Sequence, residues 1–152
     1  AGDGITIECS EEDFFRTITD EVNHKTRAGR AVIVYFEPAR LEAYRASPYL
    51  KKVLHANVLD EGLDTKTRDH VIRKAATSGQ ATFSSAVFGR GTDFFCKDNK
   101  LTESGGVHVL QTFFSRQKAE EVQVQGRTAR QGKQGTFGMV LLQEDLEEHF
   151  AL

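Results

Sequence analysis

Hydrophobic positions along this chain change period in a regular way. Short unbroken apolar runs alternate with stretches spaced like one face of a helix. "ITIE" (5–8) reads as a short strand. Ser10 and Asp13 then form a capping-box-like start, and Phe14, Phe15, Ile18 and Val22 keep one helical face until Gly29 ends it. "AVIVYF" (31–36) is a continuous β-rich run, the pattern of a strand covered on both sides in a parallel sheet. Pro38 suits the first turn of a helix carrying Leu41 and Tyr44. "HANVLD" (55–60) is a weak strand, and Asp64 is placed to cap a helix with apolar positions Leu63, Val71, Ile72, Ala75 and Ala76. "QATFSSAVF" (80–88), broken at "GRG", and "GGVHVLQTF" (105–113) are the next strands. A polar helix is predicted from about Arg116, then a last strand "TFGMVLL" (136–142) and an acidic terminal helix "QEDLEEHF".

Strand alternating with helix predicts a three-layer α/β fold, a parallel sheet with helices on both faces. Ligands of such folds sit beyond the carboxyl ends of the strands, which puts the loop after residue 88 in position for a site. At 152 residues the chain suits one domain, 1–152. Because it begins at Ala1 without Met, it is expected to be a piece of a larger protein.

Composition narrows the class without naming a ligand. The chain is 39% hydrophobic and 28% charged with a net charge of −2, which is globular and demands neither nucleic acid nor an anionic membrane. No apolar run approaches the roughly 20 residues of a membrane span. Cys9 and Cys96 lack a C-x-x-C pattern and are expected as two free thiols in a reducing compartment. His24, His55, His70, His108 and His149 show no metal-ligand spacing, and His108, inside a predicted strand, is expected to bond a backbone group. Phe94, Phe95, Phe113 and Phe114 come as adjacent pairs, which a strand buries together only when both its faces are covered; that is the expectation here, a partner surface the alternative.

Two stretches carry candidate chemistry. In "QVQGRTARQGKQG" (123–135), Gln123, Arg127 and Arg130 stand at i, i+4 and i+7, so a helix through them presents all three on one face. Two guanidinium forks match the oxygens of a phosphate chain; a solvated helix end is the plain alternative. From 115 to 134 the chain has five Lys/Arg and two Asp/Glu, a local charge of +3. "GRGTDF" (89–94) follows a predicted strand, and its glycines let backbone N–H groups approach an anion. "GRTARQGK" imitates a Walker A loop, but five residues separate Gly126 from Gly132 and Gln134 stands where the Mg²⁺-binding hydroxyl belongs. No G-x-S-x-G elbow or Cys/His pair suggests a hydrolase.

Together "FGRGTDF", "GGVHVLQT" and "QVQGRTARQGKQGT" resemble, in order and spacing, the second RecA-like motor domain of the SecA preprotein translocases. That family reads A-G-R-G-T-D-I, then GGLHVIGT, then Q-L-R-G-R-S-G-R-Q-G-D-x-G-S before an acidic stretch. Upstream, "TRAGRAVIV" and "HANVLD" are similar to T-x-x-G-x-P-V-L-V and H-x-V-L-N, so the resemblance covers nearly the whole chain. It implies a P-loop NTPase-type, RecA-like domain that lacks its own Walker A loop. Such a domain completes an ATP site (ATP or ADP with Mg²⁺) together with a first RecA-like domain that supplies the triphosphate cradle and metal carboxylates.

Carried over, Arg130 matches the arginine finger and Arg127 its partner. Gln123 and Gly126 belong to the same motif. Gly89, Gly91, Thr92 and Asp93 match the loop that senses nucleotide. The resemblance further implies a cytoplasmic ATPase working in protein translocation or remodelling, peripheral to a membrane or translocon, with a protein substrate. The isolated domain is expected to be monomeric and inactive. Departures accompany the match: "FFSRQKAEE" (113–121) replaces the family's Glu-Arg-His cluster, "AVF" (86–88) its Asn-Met-Ala, and "EPARLEA" its S-I-E-x-S-E. Two alternatives stand beside the motor half: the C-terminal domain of a nucleic-acid helicase, and a degenerate motor domain kept as a protein-interaction module.

Overall fold

The computed structural model describes residues 4–86, 103–114 and 135–150. Six strands are defined: β1 (Ile5–Glu8), β2 (Ala31–Phe36), β3 (Ala56–Leu59), β4 (Ala81–Ser85), β5 (Val107–Gln111) and β6 (Gly135–Leu142). They pair in one all-parallel sheet in the order β1-β6-β5-β2-β4-β3. Between and after them lie α1 (Glu11–Arg27), α2 (Pro38–Ala46), α3 (Thr65–Ala75) and α4 (Gln143–His149), with a short 3₁₀ turn at Leu50–Lys52.

The continuous apolar run of β2 has its cause in two cores. Val32, Val34 and Phe36 pack with Phe14, Phe15, Ile18 and Val22 of α1 and Leu41 and Tyr44 of α2. The alternate residues Ala31, Ile33 and Tyr35 join Val71 and Ala75 of α3. Every residue of β2 is buried, as a central strand between two helical layers requires. The three-layer parallel architecture expected from the alternation is therefore the observed one. Tyr44 anchors the first core, its ring 5.0–5.2 Å from those of Phe15, Phe36 and Phe83. Its hydroxyl pairs with Thr19 at 2.6 Å, joining α2 to α1.

Local signals set the helix starts. Ser10 Oγ accepts from the Asp13 N–H at 3.1 Å, Asp64 Oδ1 accepts from the Thr67 N–H at 2.7 Å, and Pro38 opens α2. Gly29 ends the α1 connection at φ 88°, and a Cβ there would lie 2.7 Å from Ser104 Oγ. Strands are shorter than the apolar runs suggested: β4 stops at Ser85 and β5 at Gln111. Phe113 and Phe114 consequently lie beyond β5, where strand alternation no longer applies. Phe113 is buried in the α3-side core, whereas Phe114 is exposed beside His149 and Phe150. The expectation that covered faces bury both rings fails for Phe114. Phe94, Phe95, Cys96 and the helix expected from Arg116 lie outside the described residues.

Candidate functional site

All strand carboxyl ends fall on one edge of a parallel sheet, and the helices that follow them begin there. The chain leaving β2 runs towards β3, on one side. The connection from β5 leads to β6, on the other. The crevice between β2 and β5 is thus the topological switch point, the place where open α/β sheets receive ligands.

Gly89, Gly91, Thr92, Asp93, Gln123, Gly126, Arg127 and Arg130 all lie outside the described residues. Their attachment is nonetheless defined by their neighbours in the chain. The first four follow β4, and the other four belong to the connection between β5 and β6. β4 and β5 are the two strands that flank β2.

The described rim of the crevice is polar and buried. Tyr35 of β2 stands in register between Ser84 of β4 and Gln111 of β5, a row of three polar side chains across the sheet centre. Thr112 donates to the Tyr35 carbonyl twice, from its N–H at 3.1 Å and its hydroxyl at 2.8 Å. Gln111 Nε2 donates to the Phe113 carbonyl at 2.8 Å. Gln111 Oε1 and, at the end of β4, Ser85 Oγ are buried without a hydrogen-bond partner among the described residues. The sequence reading did not single out Gln111; a polar residue ending the strand directly after Val109 and Leu110 was the available signal.

Arg40, in the first turn of α2, organises the same edge. Its fork meets Asp145 at 2.8 and 3.3 Å, Glu144 at 2.7 Å and Glu11 at 2.5 Å, tying α2 to the starts of α1 and α4. The hydrogen bond to Asp145, against the opposing effect of burial, holds the Arg40 guanidinium above its ordinary pKa. Acidic first turns suit the positive ends of α1 and α4, and Arg40 relieves their mutual repulsion.

The opposite, amino edge holds a second polar network. Arg30 donates to the Gly105 and Gly106 carbonyls at 3.1 and 3.2 Å and to Thr136 Oγ1 at 2.6 Å. His108 Nδ1 lies 2.6 Å from that same hydroxyl, and Nε2 lies 3.0 Å from Glu21. His108 is buried as expected, but its partners are two side chains rather than a backbone group. Among the described residues no group of His, Cys, Asp and Glu could hold a metal ion. No helix among them is long and apolar enough to cross a membrane. Cys9 is a free thiol, its Sγ 3.1 Å from Gln143 Oε1.

No family model matches the chain. Curated relatives do. A protein translocase subunit SecA from Bacteroides fragilis is 26% identical over 143 residues, 93% of this chain and 13% of the relative. A SecA 2 subunit from Geobacillus thermodenitrificans is 28% identical over 149 residues, 95% of this chain and 18% of the relative. The chain thus spans less than a fifth of the length of these relatives. Among solved structures, the E. coli DEAD-box protein SrmB bound to regulator of ribonuclease activity A matches with TM-score 0.73 at 17% identity, over 95% of this chain and 79% of that one. Domain 2 of the DEAD-box helicase Mss116p bound to an RNA duplex matches with TM-score 0.64 at 18% identity, over 95% and 56%. At such identities the structural likeness shows the fold, that of helicase C-terminal RecA-like domains. The sequence relatives bear out the resemblance to SecA.

Proposed function

We propose that this chain, a divergent relative of a segment of the SecA translocase subunits, is the second RecA-like half of an ATP-driven motor for protein translocation or remodelling. It completes an ATP site whose triphosphate cradle and Mg²⁺ carboxylates belong to a first RecA-like domain, since its own sequence has no Walker A loop. When bound, Mg²⁺·ATP supplies the phosphoryl group that is transferred to water. Arg130 would stabilise the charge that grows on the transferring phosphate in the transition state, and Arg127 would act with it. Gln123 and Gly126 hold that segment in place, and Gly89, Gly91, Thr92 and Asp93 report whether nucleotide is bound.

The observation that supports this reading is one of connection. The two segments carrying these residues are joined to β4 and β5, the strands on either side of β2 at the sheet's switch point. The test is ATP turnover by the full-length protein that contains this chain. Arg130→Ala is expected to cut turnover by about two orders of magnitude or more. Arg130→Lys should be nearly as damaging, because a point charge does not reproduce the planar fork. The isolated chain should fold, show no turnover above buffer, and melt within about half a kcal/mol of wild type after Arg130→Ala. Full turnover by the Arg130→Ala protein would overturn the assignment.

A helicase reading is the second. It draws on the structural likeness to DEAD-box domains, one of them bound to an RNA duplex. It calls for RNA binding that weakens steeply with salt. RNA affinity that persists with that slope, without stimulation of turnover by an unfolded protein substrate, would favour it.

A further inference from the structure

We propose that the outer edge of β3, together with the basic turns at its amino end, is a docking site for an extended acidic segment of a partner protein. The helices between parallel strands bring their last turns to the amino edge of the sheet, opposite the crevice. Three stretches meet there, residues 24–30, 50–56 and 73–80, and they hold seven Lys and Arg and no Asp or Glu. Hydrogen bonds join them into one surface. Asn23 Nδ2 donates to the Lys52 carbonyl at 3.1 Å, the Ala81 N–H to the His55 carbonyl at 3.3 Å, and the Gly79 N–H to the Arg30 carbonyl at 3.1 Å. Lys51, Lys52, Arg73 and Lys74 are exposed and enter no ion pair among the described residues. Arg16, Arg40 and Arg45, by contrast, each meet a carboxylate. A helix end accounts for Arg73 and Lys74, but Lys51 and Lys52 lie in a three-residue turn with almost no dipole.

The second element is β3 itself. It is an outermost strand and, among the described residues, pairs with β4 alone. Ala56 stands opposite Ala81, whose N–H bonds the His55 carbonyl, so the backbone of Asn57 turns towards β4. The N–H and C=O groups of Ala56 and Val58 therefore point away from the sheet, a row of donors and acceptors that another extended chain can match. A lipid headgroup or a phosphate backbone has no such alternation. The exposed aromatic rings among the described residues, which could stack a base, are Phe114 and Phe150, beyond β5 and α4. Leu54, 72% exposed, stands at the head of the strand, where His55 at φ 57° turns the chain into β3. An occupant of this edge is thus extended, carries carboxylates where it meets Lys51, Lys52, Arg73 and Lys74, and offers an apolar residue to Leu54. The far end of β3 runs into Asp60, Glu61 and Asp64, so those carboxylates belong at one end of the occupant. The site stands apart from the crevice and does not depend on the motor reading.

The experiment titrates full-length protein into the capped, fluorescently labelled peptide Glu-Glu-Val-Thr-Val-Thr and into its counterpart with lysine for glutamate, both followed by anisotropy. The acidic peptide should bind more tightly by about tenfold or more, with a margin that shrinks as salt is raised. Methylating its backbone nitrogens at alternate residues should abolish binding in one frame and leave it in the other, because only every second N–H of a strand faces a given neighbour. Lys51→Glu with Lys52→Glu, and Arg73→Glu with Lys74→Glu, should each weaken binding about tenfold while the melting temperature barely moves. Amide exchange at Ala56 and Val58 should slow when the peptide binds. No preference for the acidic peptide would overturn the proposal, as would equal tolerance of both methylation frames or charge reversals without effect. Phosphatidylserine vesicles or single-stranded RNA that bind through the same cations while the peptide does not would also overturn it, giving the surface to a membrane or to nucleic acid.

Discussion

Removing the Arg40 guanidinium should cost about 2 kcal/mol of stability, and the figure can be assembled from its contacts. The side chain is 23% exposed and makes a two-pronged contact with Asp145, at 2.8 and 3.3 Å. Charged hydrogen bonds of that kind are worth roughly 1.5–3 kcal/mol where partly buried. The contacts to Glu144 and Glu11, at 2.7 and 2.5 Å, involve carboxylates open to water and add only about 0.2–1 kcal/mol each before screening. The low ends of these ranges sum to about 2 kcal/mol, the appropriate choice because Asp145 is itself about one-third exposed.

For a chain of 152 residues, an unfolding entropy of about 2.1 cal/mol/K per residue makes 2 kcal/mol worth about 6 °C. Thermal melting followed by far-ultraviolet circular dichroism should therefore place Arg40→Ala about 6 °C below wild type. Arg40→Lys, with the charge but not the fork, should fall about half as far. A double-mutant cycle with Asp145→Asn should return a coupling of about 1–2 kcal/mol. Molar salt should erase the Glu11 and Glu144 contributions before that of Asp145. A melting point within about 1 °C of wild type, or a cycle with no coupling, would refute the view that Arg40 fastens α4 to α1 and α2.

Two further outcomes are expected. Burial, opposed by the hydrogen bond from Thr19, pushes the Tyr44 hydroxyl up to about 12. The folded state therefore holds that proton more tightly than the unfolded chain, whose tyrosines titrate near 10. The resulting stability is whole below about pH 10 and is lost as pH climbs through about 12, at most about 3 kcal/mol. Tyr44→Phe should flatten that alkaline decline while lowering stability at pH 7 by about 1–2 kcal/mol, because Thr19 keeps a buried hydroxyl without its partner; denaturant midpoints at pH 7 and pH 11 that fall in parallel for both proteins would contradict this. Alkylation of unreduced protein should add two labels by mass spectrometry, one at the exposed thiol of Cys9 and one at Cys96; a protein that accepts labels only after reduction would refute it.

The elements themselves were legible along the chain because their causes are local. Helical spacing from Phe14 to Val22, caps at Ser10 and Asp64 and the proline at 38 each act within one or two turns. "AVIVYF" announced a strand between two apolar layers for the same reason: its composition must satisfy both of its faces. The motifs also carried the family resemblance, which the SecA relatives bear out, although the residues proposed for the site lie outside the described ones. Strand order was not legible. The first strand lies beside the last, and β2 lies between β5 and β4, pairings between residues far apart that no local period encodes.

The partners of polar residues depended on that order. His108 finds Thr136 because β5 and β6 pair in register, and Glu21 because α1 packs below them. Arg40 reads as an ordinary surface arginine until α1 and α4 bring three carboxylates to it. Gln111 reads as a polar end to a strand until β2 and the turn at Phe113 bury it. A side chain's secondary structure follows from its neighbours in sequence; its charge and hydrogen-bond partners follow from which elements the sheet sets side by side.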